Sequence, residues 1–240
     1  MIGLGTIFNV VGIILGGLIG IFCKNLITPR IQDTLMKANG MCVVFLGVAG
    51  TLEQMLVIQD GHLSSTGTMM MIFSLAIGVI IGEVINLDYR MEQFGRWLKE
   101  KTGNAKDKLF VDGFVTASLT VCVGAMAIVG ALQDGISGNY STLLTKAILD
   151  CIIICIMAAS MGKGCIFSAL PVGILQGAVT LLATFIEPIM TEAALSNLSL
   201  VGNILITCVG INLVWDNVRI KVANMLPAIV IAVAWAFLPL

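Results

Sequence analysis

The sequence predicts an all-α, polytopic helical membrane protein with about eight transmembrane helices. Of its 240 residues, 58% are hydrophobic and 11% are charged, whereas soluble domains carry about 25% charged residues. The apolar residues form long uncharged runs, and a helix of roughly 20 apolar residues crosses the hydrocarbon core of a bilayer. The lipid bilayer is therefore the expected partner of this chain. Its 13 Lys and Arg against 14 Asp and Glu leave no positive surplus for binding nucleic acid.

The predicted spans follow from the positions of the charges. Eight long stretches of the chain are uncharged or carry a single acidic residue. The first has no basic residue before it and no small-residue cleavage site after it, so it is predicted to stay as a span rather than to be removed as a signal peptide. The eight predicted spans are residues 1–23, 38–58, 63–82, 113–133, 147–162, 164–186, 193–215 and 222–240.

The basic residues predict the orientation of these spans. Twelve of the 13 Lys and Arg residues fall between spans one and two, three and four, five and six, or seven and eight. Lys146 is the exception. Basic residues near span ends are retained on the cytoplasmic side, so the sequence predicts that both termini lie outside the cytoplasm.

One longer connection separates the third predicted span from the fourth. Leu87, Met91, Phe94 and Leu98 recur in it at helical spacing among many charged residues, which predicts an amphipathic helix on the cytoplasmic membrane surface. The predicted organisation is an amino-terminal membrane repeat (1–86), this interfacial helix and linker (87–109), a central span pair (110–162) and a carboxy-terminal membrane repeat (163–240).

Short internal similarities suggest an inverted repeat of spans one to three and spans six to eight. The segments GVAGTLEQ (47–54), AIVGALQD (127–134) and GINLVWDN (210–217) each end in a carboxylate beside a carboxamide. Gly12 and Gly16 of the first span match Gly173 and Gly177 of the sixth. Spans one and six would cross the membrane in opposite senses, which is the arrangement that many secondary transporters use, with their binding sites at the repeat interface.

Acidic and amide side chains within the spans are the predicted substrate or ion path. A charged group at membrane depth is costly and usually faces protein or water. Carboxylate and amide oxygens suit a small cation, and a desolvated carboxylate can carry a proton. The alternatives are acids at head-group depth, an i,i+4 ion pair of Lys146 with Asp150, and amides that only join helices. The predicted path residues are Asn9, Glu53, Gln54, Gln133, Asp134, Asp150, Gln176, Asn212 and Asp216.

Glycines at four-residue spacing are predicted to allow close helix packing, either within one chain or in a homo-oligomer. These glycines are Gly12, Gly16, Gly78 and Gly82. A site for a soft metal at Cys151 and Cys155 is the competing interpretation, but the chain contains no Cys-x-x-Cys motif, and no metal site is predicted. Enzyme motifs are also absent from the sequence, so neither catalytic residues nor a cofactor is expected.

Three sequence blocks resemble a known family. GLGTIFNVVGIILGGLIG (3–20), IQDTLMKANG (31–40) and VAGTLE (48–53) are similar to the bacterial membrane proteins of the domain of unknown function 554 family, of the YdfK and YqgA type. The resemblance extends over essentially the full length. It implies a multi-pass protein of the bacterial cytoplasmic (inner) membrane with no established substrate, and it assigns no binding residue.

The predicted function is that of an integral membrane transporter or channel-like permease for a small ion or polar solute. The intramembrane acids and amides at the repeat interface favour this interpretation. The alternative is a non-transporting scaffold or sensor subunit in which the same polar residues only fix helix packing.

Overall fold

The computed structural model describes residues 2–24, 26, 28–59, 61–122, 124–215 and 217–238. The predicted all-α fold class is confirmed, since helices account for most of the described residues. The helices are α1 (Leu4–Lys24), α2 (Pro29–Met55), α3 (Thr68–Ile85), α4 (Leu87–Lys101), α5 (Phe110–Cys122), α6 (Ala125–Ser137), α7 (Ser141–Met161), α8 (Ala169–Leu181), α9 (Ala183–Ile186), α10 (Glu192–Val214), α11 (Val222–Met225) and α12 (Pro227–Trp235), with 3-10 turns at Lys163–Ser168 and Glu187–Ile189.

Six helical stretches within the described residues are long and apolar enough to cross a membrane. They are α1, α2, α3, α7, α10 and the continuous stretch Lys163–Leu181 that contains α8. A seventh would be formed by α5 and α6 together, which are bent by 62° and contain the predicted fourth span, residues 113–133. The predicted eighth span contains the shorter apolar stretch Val222–Trp235, so the count of eight stays a prediction.

The helix ends differ from the predicted span ends because helices continue through charged residues. α2 begins at Pro29 rather than near residue 38, and the Thr28 hydroxyl caps it by accepting a hydrogen bond from the Ile31 amide at 3.4 Å. The charges of its first turns are exposed, and Lys37 pairs with Asp33 at 3.0 Å. Charged residues near a helix end reach water and do not end the helix.

A short β-hairpin replaces parts of the second and third predicted spans. The strands β1 (Leu56–Gln59) and β2 (His62–Ser65) pair antiparallel between α2 and α3. β1 alternates in a pattern typical of a strand on a surface, since Leu56 and Ile58 are exposed. Apolar residues alone therefore do not identify the end of a span at this position.

Close contacts at glycines show the relative directions of the long helices. A Cβ atom on Gly12 would lie 2.8 Å from the Ala147 carbonyl oxygen, and one on Gly16 would overlap the Cys151 carbonyl group. Both residue numbers rise together along this contact, so α1 and α7 are parallel. Helices α2 and α10 are antiparallel, because Gly40 meets Gly210 whereas Gly47 meets Asn203.

The third close pair joins α3 to the helices α11 and α12. Gly78 lies against Ala228 and Gly82 against the Asn224 carbonyl group, so these helices are antiparallel. Neither glycine has room for a side chain. The four glycines singled out by their spacing thus lie at helix contacts within one chain.

Candidate substrate pathway

A cavity of about 480 Å3 lies where α2, the α5–α6 junction, α7 and α10 meet. We call it the Asp150 cavity. Most of its wall is apolar, but each of the helices α2, α5, α7 and α10 contributes at least one polar side chain. These polar residues are Glu53, Thr120, Lys146, Asp150, Ser199 and Asn203.

The junction between α5 and α6 forms part of the cavity wall. α5 ends at Cys122, and α6 begins at Ala125 after Gly124, whose φ of 153° is one that side-chain-bearing residues rarely adopt. Each helix end leaves backbone groups without partners in the helix, carbonyls at the end of α5 and amides at the start of α6. Discontinuous helices of this kind surround the binding sites of many transporters.

The most buried charges of the cavity belong to Lys146 and Asp150. They lie four residues apart on α7, so that both side chains project from the same face of the helix. Lys146 donates a hydrogen bond to Asp150 Oδ1 at 2.9 Å, and its nitrogen is also 2.9 Å from Oδ2 as an ionic contact. Only 8% of Lys146 and 3% of Asp150 is exposed. The predicted i,i+4 pair is therefore present, and it is buried.

Two amide side chains extend this polar group from α7 to α1 and α8. Asn9 of α1 interacts with the Asp150 side chain and donates a hydrogen bond from Nδ2 to Gln176 Oε1 at 3.2 Å. Asn9 and Gln176 are fully buried or nearly so. Asn9 Oδ1 and Asp150 Oδ2 accept no hydrogen bond from any residue that the structure describes.

Glu53 and Gln54 are adjacent in sequence, but their side chains have different surroundings. Glu53 is exposed and lines the Asp150 cavity. Gln54 points to α10, where its Oε1 accepts a hydrogen bond from the Ser196 hydroxyl at 2.9 Å. Gln54 therefore joins α2 to α10 near the hairpin.

Gln133 and Asp134 are not among the lining residues of the Asp150 cavity. Asp134 is completely buried, and its Oδ2 accepts a hydrogen bond from the Gly5 amide at 3.0 Å. It thus satisfies one of the amides at the start of α1, where the helix dipole favours a negative charge. Gln133 Oε1 accepts a hydrogen bond from the Thr142 hydroxyl at 2.7 Å. These two residues hold the end of α6 against α1 and α7.

A second cavity of about 360 Å3 lies among α2, α4, α5, α7, α10 and the segment before α11. We call it the Arg219 cavity. Arg219 forms an ion pair with Glu92 and lies 3.7 Å from Asp88. Asp112 is a third acidic residue of the wall. Asn212 closes the adjoining loop, since its amide donates to the Ile220 carbonyl at 2.7 Å and accepts from the Ile220 amide at 2.8 Å.

The charges of the Arg219 cavity perturb one another. Burial raises the pKa of the Asp88 carboxyl group, and the neighbouring Arg219 opposes this change. The hydrogen bond to Glu92 raises the pKa of the Arg219 guanidinium. Asp216, also predicted to line the path, lies outside the described residues.

The two cavities lie toward opposite ends of the same helices. Along α7, residues 146–153 reach the Asp150 cavity, whereas Ser160 and Met161 line the Arg219 cavity. Along α10, Asn203 and Ile206 line the first and Asn212 the second. The intervening turns of α7 and α10 carry apolar residues that are at most 2% exposed, namely Ile154, Met157 and Val209.

Sequence reasoning missed most of this second cluster. The Arg219 contacts join residues that are far apart in the chain, and nothing in the local sequence around Glu92 points to such a partner. Thr120 and Ser199 were missed for a different reason, since single hydroxyl groups are common in membrane helices. The polar face that they form appears only once α5 and α10 are placed against α7.

Comparison with known proteins identifies the family. The sequence profile described as protein of unknown function (DUF554) matches residues 4–237. The chain belongs to this family. It is similar to the uncharacterized membrane protein YdfK of Bacillus subtilis (strain 168), with 33% identity over 228 residues, which cover 95% of this chain and 93% of the relative.

A second relative is more distant. The uncharacterized protein YqgA of Escherichia coli (strain K12) is 24% identical over 236 residues, which cover 95% of this chain and 94% of the relative. No solved structure matches. Family membership and the apolar helices together show that the chain is a membrane protein.

Proposed function

We propose that the protein is a transporter or channel-like permease for a small ion or polar solute, with a path through the Asp150 cavity and the Arg219 cavity. The observation that carries the proposal is the placement of two partly polar cavities toward opposite ends of α7 and α10, with buried apolar residues at the intervening positions of both helices. A barrier between two cavities is what a gated path requires, because it must open for a solute to pass. Asp150 and Lys146 would meet the solute at the broken helix.

The directions of the helices support the predicted topology. With both termini outside the cytoplasm, spans one and five cross the membrane in the same sense, and α1 and α7 are parallel. Spans two and seven cross in opposite senses, as do spans three and eight, and the corresponding helix pairs are antiparallel. In this arrangement the Asp150 cavity faces the outside of the bacterial inner membrane and the Arg219 cavity faces the cytoplasm.

The contacts between α2 and α10 also favour the inverted repeat. The alignment that places Gly47 on Gly210 places Gly40 on Asn203. If each residue is replaced by its equivalent in the other helix, the pair Gly40 and Gly210 becomes the pair Asn203 and Gly47. Both pairs are in contact. A two-fold axis in the membrane plane would relate such a pair, as in transporters with inverted repeats.

Flux from liposomes tests this proposal. Liposomes with the purified protein are loaded with a panel of salts and small polar solutes, and the retained content is measured by elemental analysis and mass spectrometry after dilution. We expect loss of at least one solute beyond the leak of protein-free liposomes. The Asp150→Asn variant should lose this flux, whereas Asp33→Asn, which alters the exposed i,i+4 pair of α2, should keep it.

A folded protein that releases no solute of the panel would overturn the proposal. That result would favour a non-transporting scaffold, in which the polar groups only join helices. Folding is checked separately by the elution profile and the thermal midpoint of each variant in detergent.

A further inference from the structure

We propose that the ion pair between Arg219 and Glu92 is a salt-sensitive gate between the Arg219 cavity and a second space that adjoins it. This inference rests on the proposed function and adds a regulated entrance to the same path. The second space has a volume of about 480 Å3 and is lined by α4, the segment after α4, the start of α5 and Arg219. We call it the α4 pocket.

The two spaces differ in polarity and share part of their walls. Seven of the nine residues that line the α4 pocket are charged, against four of the 16 that line the Arg219 cavity. Charged residues are mostly in contact with water, whereas the Arg219 cavity extends inward to the buried residues Leu119 and Ser160. Glu92, Asp112 and Arg219 line both spaces. These three residues therefore lie where the cavity meets the water side of the protein.

The Arg219 pair joins two elements across this boundary. Arg219 belongs to the segment between α10 and α11, and Glu92 belongs to α4. The guanidinium donates a hydrogen bond to Glu92 and lies 3.7 Å from Asp88. A solute that moves between the α4 pocket and the Arg219 cavity has to pass this pair.

The segment that carries Arg219 is held more firmly on its other side. Asn212 of α10 accepts a hydrogen bond from the Ile220 amide at 2.8 Å and donates one to the Ile220 carbonyl at 2.7 Å. These bonds are neutral and partly buried, whereas the Arg219 side chain is 69% exposed. Salt screens the attraction between exposed charges. Opening should therefore separate the segment from Glu92 and leave it attached to α10.

The start of α4 has its own attachment to the same segment. The Asp88 amide donates a hydrogen bond to Asn224 Oδ1 at 2.7 Å, which joins the first turn of α4 to α11. Lys221 lies 3.3 Å from Glu83 in a second exposed pair, but neither of these residues lines the Arg219 cavity. Glu92 lies one turn beyond the Asp88 amide along α4. The separation that opens the gate is thus confined to the level of Glu92 and Arg219.

The strength of an exposed ion pair suits a gate. Such a pair shifts an equilibrium by at most about fivefold. The screening length falls from about 30 Å in 0.01 M salt to about 3 Å in 1 M salt. Over this range the pair should lose most of its effect, and access to the Arg219 cavity should become up to about fivefold faster.

The test measures access to the cavity in the full-length protein in detergent with an uncharged maleimide. Ser160→Cys places a thiol in the Arg219 cavity, whereas Ala105→Cys places one in the α4 pocket only. Peptide mass spectrometry separates these thiols from the seven native cysteines. We expect labelling at position 160 to become up to about fivefold faster from low to high salt, and labelling at position 105 to stay unchanged.

Substitutions of two arginines identify the pair that is responsible. Arg219→Gln should give fast labelling at position 160 at every salt concentration, whereas Arg219→Lys keeps the charge and should keep the salt dependence. The matched control is Arg96→Gln. The Arg96 side chain is 65% exposed and lies 3.6 Å from Glu92, but it does not line the Arg219 cavity. This control should keep the salt dependence of the wild type.

Two labelling results would overturn the gate. One is an equal rate at position 160 in low and high salt, and the other is an equal effect of Arg96→Gln and Arg219→Gln. A Ser160→Cys protein that does not fold is replaced by Thr116→Cys, since Thr116 also lines the Arg219 cavity and not the α4 pocket.

Liposome flux separates the failure of the gate from the failure of the permease. Flux of the solute found with the earlier panel should rise with salt for the wild type and should be high at every salt concentration for Arg219→Gln, with the osmolality held constant. Flux that does not respond to salt would overturn the gate alone. Absence of flux for every solute of the panel would overturn the proposed function, and the pair would then have no path to close.

Discussion

The two charged clusters of this protein contain the same kinds of group in opposite environments. The Lys146 and Asp150 side chains are 11% and 4% exposed, whereas the Arg219 side chain is 69% exposed and its partners Asp88 and Glu92 are 15% and 20% exposed. A buried charge depends on its single partner, because no water replaces a lost contact. An exposed charge exchanges its partner for water at little cost. Burial therefore decides which cluster depends on its internal partner for stability.

Removing the lysine of the buried cluster should have the largest effect. Lys146→Ala leaves the Asp150 carboxylate buried without its counter-ion, and breaking a buried pair in this way costs about 3–5 kcal/mol. The thermal midpoint in detergent should fall strongly, and Lys37→Ala on the exposed face of α2 should hardly change it. The double variant Lys146→Ala with Asp150→Ala should be more stable than Lys146→Ala alone. A single variant as stable as wild type would mean that water reaches the pair.

The packing that buries this cluster should be the next most sensitive feature. A methyl group on Gly16 would overlap the Cys151 carbonyl group, so Gly16→Ala must separate α1 from α7. Overpacking of this kind costs about 1–3 kcal/mol. The matched control is Gly177→Ala, because a Cβ on Gly177 meets no described atom within 4 Å. Equal thermal midpoints for the two variants would contradict the close contact between α1 and α7.

The exposed cluster should tolerate the loss of its cation. Arg219→Ala removes the contacts with Glu92 and Asp88, and an exposed ion pair contributes about 0–1 kcal/mol. We expect a small fall in the thermal midpoint, and it should shrink further in high salt because salt screens exposed charges. A loss as large as that of Lys146→Ala would show that the two clusters do not differ as their exposure indicates.

The smallest expected effect is a pH dependence at Asp88. Burial raises the pKa of this carboxyl group in the folded protein, so its contribution to stability is complete below the unfolded-state pKa and is lost as pH rises through the folded-state pKa. Asp88→Asn should therefore gain stability relative to wild type between about pH 4 and neutral pH. Thermal midpoints of both proteins across this range measure the difference. A relative loss for Asp88→Asn would mean that the attraction of Arg219 outweighs burial.

The sequence predicted what depends on local pattern. Run lengths located the long helices, and the four-residue spacing of Lys146 and Asp150 identified the ion pair, because both features arise within one helix. The break at Gly124 was missed, since nothing in a run of apolar residues records a change of direction. The location of Asp134 was also missed. Its partner, the Gly5 amide, lies 129 residues away, and the contact exists only after α6 has packed against α1.

The parallel contact between α1 and α7 determines when α1 can complete its packing during synthesis. α1 is synthesised first, but the helix that packs on its glycine face, α7, and the residue that accepts the Gly5 amide hydrogen bond, Asp134, are synthesised later. A ribosome adds about 5–20 residues per second, so these 129 residues take on the order of ten seconds. During that time the glycine positions of α1 have no contact with α7. The glycine face of α1 therefore reaches its final partner only after Met161, the last residue of α7, has been synthesised.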